Sequence, residues 1–129
     1  MTVNLNKRAL TLVLPWPPSV NRVWRAVQGR VILAADARAY SKALASRMPT
    51  GLWQPFTGRL EVVMSLHPPT TLKNRKWDIA NREKLLCDSL TKQRIWLDDS
   101  QIDKLTIKRG RFVQPCPEGY CYLEIEEVA

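Results

Sequence analysis

The residues best suited to chemistry lie close together, between positions 73 and 101. Asp78 precedes a predicted helix, Lys84 lies within it, and the adjacent pair Asp98 and Asp99 follows it. Hydrolysis of a phosphodiester needs a metal ion that neutralises developing charge and activates water. Magnesium prefers oxygen ligands, usually from a few carboxylates. If the start of the helix and the later loop converge, the three aspartates could bind Mg²⁺ while Lys84 holds a phosphate or the attacking water.

The predicted helix spans residues 79–93 and has two different faces. At about 100° per residue, Asn81, Lys84 and Asp88 fall within about 60° of one another. The apolar residues fall on another side of the helix: Ile79, Leu86 and Leu90. One face can therefore pack on a sheet while the other presents polar groups.

Each of these features also has a purely structural interpretation. Asp78 could serve only as the N-cap of the helix, and residues 98–100 could be a solvated turn. Lys84 and Asp88, four residues apart, could form a surface pair worth a few tenths of a kcal/mol. Because scattered acids are common, spacing alone favours these structural interpretations.

Apolar patterning predicts the elements that would position these residues. Four strands are predicted, at residues 9–14, 59–66, 102–109 and 120–127. Another helix is predicted earlier in the chain, at 35–48, and a ribbon or loop is predicted at 21–33. The order strand, helix, strand, helix, strand, strand predicts the α+β class, as a single domain over 1–129 with one mixed β-sheet and two main helices.

Two of these elements give sharper predictions about which residues are buried. The strand at 59–66 alternates, which places four apolar residues on one face: Leu60, Val62, Met64 and Leu66. In the helix at 35–48, Ala39, Ala43 and Leu44 face one way and Asp36 can cap the start.

Composition points to a polyanionic partner. The 129 residues carry a net charge of +8 and have an isoelectric point of about 9.8, which favours nucleic acid. No apolar run is long enough to span a membrane and no signal peptide is evident, so we expect a cytoplasmic protein. The three cysteines and the single histidine lack a sensible zinc spacing. We therefore interpret the cysteines as structural or incidental and expect no organic cofactor.

Two segments together resemble the RusA Holliday junction resolvases. The first reads Pro15-Trp16-Pro17-Pro18-Ser19-Val20-Asn21-Arg22. The second runs from Asp78-Ile79-Ala80-Asn81 through Lys84, Asp88, Leu90 and Thr91-Lys92 to Trp96-Leu97-Asp98-Asp99-Ser100-Gln101. The resemblance covers nearly the whole chain and implies a homodimer, encoded by a phage or prophage in a bacterial host. It also implies symmetric cleavage of four-way DNA junctions with Mg²⁺ or Mn²⁺.

The resemblance also implies roles for individual residues. Asp78 matches the first aspartate of the family's Asp-x-Asp-Asn pattern and Asn81 its asparagine. Lys84 matches the helical catalytic lysine. Asp99, with Asp98 beside it, matches the acid of the Leu-Asp-Asp motif. These residues would form the catalytic and metal site.

One position departs from the family pattern. Ala80 stands where the family has its second aspartate, and a methyl group cannot bind a metal. We therefore expect the chain to bind junctions but to cleave them poorly or not at all. A deliberate Asp-to-Ala change, which lets DNA be bound without being cut, explains the otherwise intact motif better than a naturally degenerate copy does.

Basic residues flank the acids and should hold DNA. Residues 73–111 contain eleven Lys or Arg against six Asp or Glu, a surplus that can overcome the repulsion between an acidic site and phosphate. The predicted DNA-binding residues are Arg22, Arg25, Lys73, Arg75, Lys76, Asn81, Lys92 and Arg94. Trp24 or Trp77 could stack on an unpaired base, although each fits a core position better.

Two other functions fit parts of the sequence. A non-catalytic basic module that binds nucleic acid would use the basic face alone, but it would gain nothing from acids clustered near phosphate. A structural or partner-binding protein would make the basicity incidental. For the homodimer, apolar residues of the 35–48 helix or of the long strands are our expectation for the interface.

Overall fold

The computed structural model describes residues 7–19, 24–27, 30–33, 35–80 and 82–128, with the backbone alone for 24–27 and 30–33. The strands are β1 Ala9–Pro15, β2 Trp24–Val27, β3 Arg30–Leu33, β4 Arg59–His67, β5 Ile102–Arg109 and β6 Tyr120–Val128. The helices are α1 Ala35–Ala45 and α2 Glu83–Lys92, and two short 3₁₀ turns lie at Thr70–Leu72 and Asp99–Gln101.

Four of the strands form one mixed sheet in the order β1-β6-β4-β5. β6 pairs antiparallel with both β1 and β4, whereas β4 and β5 are parallel. Parallel neighbours need a crossover connection, and α2 lies in the one that joins β4 to β5. The predicted α+β class, with one mixed sheet, two main helices and this element order, is confirmed.

The sheet and helices enclose one hydrophobic core. The strand β4 has the predicted alternation, because its four apolar residues are all buried: Leu60, Val62, Met64 and Leu66. From β6 the core receives Leu123 and Ile125, and from α2 it receives Leu86 and Leu90. The apolar face predicted for the second helix is therefore confirmed at these two leucines.

The ribbon predicted at 21–33 is an antiparallel pair, β2 with β3, which forms a separate two-stranded sheet. The prediction for the first helix was partly wrong. Leu44 is buried, but Ala39 and Ala43 are exposed, and the core is filled instead by Ala37 and Tyr40. Larger Tyr40 reaches the sheet, where its hydroxyl donates to the Pro15 carbonyl at 3.1 Å, and this contact sets the buried side.

The second helix begins four residues later than predicted. It starts at Glu83, so Asp78 is not its N-cap and that structural interpretation was wrong. The residue before the helix is Arg82, whose guanidinium donates hydrogen bonds to the carbonyls of Asp78 and Pro17. The hydrogen bond to Pro17 joins residues that are far apart in the sequence, so local periodicity cannot reveal it.

The three cysteines are free, and Cys87 and Cys121 are buried. Burial raises the pKa of the Cys121 thiol to about 12. Among the helices of the described ranges, none is both long and apolar enough to cross a bilayer.

Candidate active site

Asp78 lies in a positively charged surface cleft of about 530 Å³. The residues that line the cleft are Arg75, Lys76, Trp77, Asp78 and Arg109. Arg109 ends β5, where it pairs with Leu66 at the end of β4. The cleft therefore combines one carboxylate with three cations at the carboxyl ends of two parallel strands. Such a combination suits a phosphate that must approach an acidic group.

Trp77 is held in the wall of this cleft by its neighbours. The Arg109 guanidinium lies 4.2 Å from the Trp77 ring centroid, and its Nη2 donates to the Trp77 carbonyl at 3.0 Å. The Trp16 ring meets Trp77 edge-on, with the centroids 5.1 Å apart. Trp77 remains half-buried, and these contacts fix its orientation. They favour a packing role, with a cation-π contribution from Arg109.

Arg82 joins the two segments that carry the family-like motifs. Its Nη1 donates to the Pro17 carbonyl at 2.8 Å, and its Nε donates to the Asp78 carbonyl at 3.3 Å. Its guanidinium also lies 4.8 Å from the Trp16 ring centroid. Burial lowers the pKa of Arg82, while the Asp78 charge opposes that shift. Because a buried guanidinium needs such partners, Arg82 fixes the backbone at Asp78.

Asp99 is fixed by a different part of the chain. Its Oδ1 accepts hydrogen bonds from the Thr91 hydroxyl and, at 3.1 Å, from the indole Nε1 of Trp96. Trp96 is completely buried, so the Asp99 carboxylate is hydrogen-bonded to a residue of the hydrophobic core. The pKa of the nearby Cys87 thiol is raised to about 12. Burial is the largest cause, and the negative charge of Asp99 is the second.

The neighbouring Asp98 has a capping role. Its carboxylate accepts from the Ser100 backbone N–H at 2.9 Å. Hydrogen bonding to the Ser100 side chain, and secondly to this backbone N–H, lowers the pKa of Asp98. The Gln101 side-chain oxygen accepts hydrogen bonds from the backbone N–H groups of Leu97 and Asp98, both at 2.8 Å. Together these bonds form a capping box. The two adjacent acids are therefore held in different ways.

The other predicted residues are spread along α2 and the preceding loop. Lys84 is exposed and its Nζ lies 3.7 Å from the Asp88 carboxylate, so the predicted surface pair is present. Lys92 and Arg94 are exposed at the far end of α2, and a ten-residue helix is about 15 Å long. Lys73 lies 4.9 Å from the Phe112 ring centroid.

Three predicted residues cannot be placed by their side chains. Arg22 and Asn81 lie outside the described residues, and Arg25 is described by its backbone within β2 only. Ala80 is described and exposed, in the turn before α2.

The acids of the candidate site offer few ligands for a metal ion. Among the side chains that the structure describes, no three His, Cys, Asp or Glu residues come close enough together to hold a metal ion. Asp78 and Asp99 still offer hard carboxylate oxygens. Two carboxylates fit Mg²⁺, which commonly keeps several waters and binds through one or two carboxylates plus substrate phosphates. Ala80 can add no ligand to them.

The structure identifies supporting residues that the sequence did not. Arg82, Thr91 and Gln101 each fix an acid or the loop beside it, and Arg109 completes the cleft. Gln101 had a usable signal, because an acid followed three residues later by Glu or Gln is a capping-box pattern. Arg82 had none, since its partner Pro17 is 65 residues away.

Comparison with known proteins gives consistent matches. A family model described as Endodeoxyribonuclease RusA matches residues 15–119. The crossover junction endodeoxyribonuclease of Enterobacteria phage 82 is 38% identical over 96 residues, which cover 70% of this chain and 74% of that protein. The protein of the same name from Escherichia coli K12 is 36% identical over 97 residues, covering 71% and 75%. That of Escherichia coli O139:H28 is 34% identical over 110 residues, covering 78% and 86%.

Proposed function

Because this chain belongs to the RusA family of endodeoxyribonucleases, we propose that it binds four-way DNA junctions and cleaves them weakly. The printed name of its relatives, crossover junction endodeoxyribonuclease, supports the substrate class. The observation that carries the proposal is the cleft in which Arg75, Lys76 and Arg109 surround Asp78. This cleft lies within the part of the chain that the family model matches.

Binding would depend mainly on the cations. An acidic site repels phosphate, so the surrounding positive charge must exceed the charge of the acids. Phosphate contacts of this kind position DNA without reading its sequence. We propose that Arg75, Lys76 and Arg109 approach the backbone near the cut, with Lys73, Lys92 and Arg94 contacting it further away. Arg22, Arg25 and Asn81 complete the proposed DNA-binding set.

Cleavage would depend on Asp78, Lys84 and Asp99. We propose that Asp78 and Asp99 hold a divalent cation, Mg²⁺ or Mn²⁺, and that Asp98 supports the loop next to them. When bound, the cation would neutralise charge on the phosphate and lower the pKa of a water. The Lys84 side chain is 68% exposed and can turn from Asp88 toward a phosphate oxygen.

The weakness of the proposed site lies at Ala80. Ala80 is two residues from Asp78 and is exposed in the turn before α2, so there would be room for an aspartate side chain at this position. With alanine there, the cation would lose one oxygen ligand and one negative charge. Binding of DNA would persist because the cations are unchanged. A homodimer would place one such site at each of two strands of a two-fold junction.

Binding of a labelled four-way junction is the test of the proposed partner. We expect the junction to bind at least about tenfold more tightly than a linear duplex of the same strands, a difference of about 1.4 kcal/mol. A gel-shift titration in EDTA measures both affinities without cleavage. Replacing Arg75 and Lys76 with alanine should weaken both complexes.

A matched control removes the same charge elsewhere. Lys42 and Arg47 are exposed in or just after α1, outside the cleft. The Lys42→Ala, Arg47→Ala double variant should bind the junction more tightly than the cleft double variant does. Equal binding of junction and duplex by the unchanged protein would exclude a junction-selective function.

A further inference from the structure

A closed set of hydrogen bonds joins Thr91, Trp96 and Asp99. The Trp96 Nε1 lies 2.6 Å from the Thr91 Oγ1 and 3.1 Å from the Asp99 Oδ1. The Thr91 hydroxyl donates to the same Oδ1. Both of the hydrogen bonds that reach the carboxylate fall on this one oxygen. Within the described ranges, no hydrogen bond is made by the other oxygen, Oδ2.

The Thr91 hydroxyl has two acceptors but one proton. Besides Asp99, its Oγ1 lies 3.0 Å from the Cys87 carbonyl oxygen, one turn back along α2. A hydrogen bond to an ionised acceptor is about twice as strong as a neutral one, so the proton belongs to the carboxylate. The indole N–H of Trp96 completes the set, because it is shared between the hydroxyl oxygen and Asp99 Oδ1. The Thr91 hydroxyl proton therefore points toward Asp99, while its oxygen accepts from Trp96.

Thr91 and Trp96 both belong to well-packed parts of the fold. Trp96 is completely buried and forms an isolated bridge with Phe56, which is also completely buried. Thr91 lies in the last turn of α2, next to buried Leu90. A rigid support of this kind restricts both the position and the rotation of the carboxylate.

We infer that Thr91 and Trp96 are positioning residues, which hold Oδ1 of Asp99 inward and leave Oδ2 as the atom that binds the divalent cation. This inference rests on the proposed function, because it assigns an atom and two supporting residues to the same site. Groups behind a metal ligand typically change metal affinity or activity by about 10–100-fold when they are replaced.

The Thr91→Val substitution isolates the hydroxyl. Valine has nearly the same shape, and the buried Trp96 N–H would keep Asp99 Oδ1 as an acceptor. No buried donor is left without a partner, so we expect the fold to survive. The carboxylate would keep one hydrogen bond instead of two and could rotate away from its fixed orientation.

Manganese binding to the Ala80→Asp variant provides the test. Each of the five tryptophans gives an indole N–H signal in a nitrogen-15 NMR spectrum, and Mn²⁺ bound at Asp99 should broaden that of Trp96. We expect Thr91→Val in this background to raise the Mn²⁺ concentration for half-broadening by about tenfold or more. Thr91→Ser should recover most of the affinity, because it restores the hydroxyl.

Controls separate positioning from stability. Thr11→Val makes the same chemical change at an exposed position of β1 and should leave Mn²⁺ affinity unchanged. Asp99→Asn gives the affinity that remains without this ligand, and thermal unfolding reports whether any variant has lost its fold. Cleavage of a four-way junction by each variant is measured in parallel.

The outcomes distinguish the inference from the function beneath it. If the Ala80→Asp variant cuts junctions while Thr91→Val in that background binds Mn²⁺ equally well, the positioning inference is wrong and the proposed function stands. If the Ala80→Asp variant neither binds Mn²⁺ nor cuts, the proposed function fails and the inference falls with it. Weaker Mn²⁺ binding in Thr91→Val, rescued by Thr91→Ser, supports both.

Discussion

Replacing Ala80 with aspartate is expected to increase junction cleavage by about 100-fold or more in the presence of Mg²⁺. Stabilisation of transition-state charge by a metal ion is worth several kcal/mol, and each 1.4 kcal/mol changes the rate about tenfold. Ala80 is exposed, in the turn before α2, so the new side chain needs no repacking of the core. The measurement is single-turnover cleavage of a labelled four-way junction.

The restored site has two matched controls. Ala80→Asn adds a side chain of nearly the same size without the negative charge, and we expect it to recover little cleavage. Asp99→Asn in the Ala80→Asp background should remove cleavage again, while junction binding in EDTA persists. Restored aspartate without cleavage would contradict the assignment of Asp78, Ala80 and Asp99 to the catalytic site.

Raising the salt concentration is expected to weaken junction binding steeply. A protein that makes 6–10 phosphate contacts loses about 10³-fold or more in affinity between about 50 and 200 mM salt, because its cations release counterions from DNA. The net charge of +8 and the cations around Asp78 predict this behaviour. Fluorescence anisotropy of a labelled junction in EDTA, at several NaCl concentrations, measures the slope.

Single substitutions should change that slope by predictable amounts. Lys76→Ala removes an exposed cation from the cleft and should reduce the slope by about one. Arg109→Ala is a less clean probe, because Arg109 also packs on the Trp77 ring and donates to the Trp77 carbonyl. Affinity that does not respond to salt would rule out binding through these cations.

Most of the fold follows from local patterns in the sequence. The alternation in β4 predicted its buried residues correctly, because a strand with one buried face has a fixed period of two. The predicted start of α2 was wrong, and the predicted buried side of α1 was partly wrong. Both depend on long-range contacts: Arg82 reaches back to Pro17, and Tyr40 reaches Pro15. Local periodicity carries no information about such partners.

The sequence selected candidate site residues but not the residues that support them. The motif resemblance selected Asp78, Lys84 and Asp99, and the structure then related two of them to their surroundings. Arg82 fixes the backbone at Asp78, and Thr91 fixes the carboxylate of Asp99. These supports are single hydrogen bonds between residues whose types have many other uses, so composition and spacing could not identify them.

The most direct test places binding and cleavage in one tube. The unchanged protein is mixed in excess with a labelled four-way junction and Mg²⁺, and each sample is divided between a native gel and a denaturing gel. We predict that the junction is fully shifted while most of its strands remain uncut, and that the Ala80→Asp variant cuts the same junction much faster. An unshifted junction, or strands cut as fast as by the Ala80→Asp variant, would contradict a junction-binding protein disabled at Ala80.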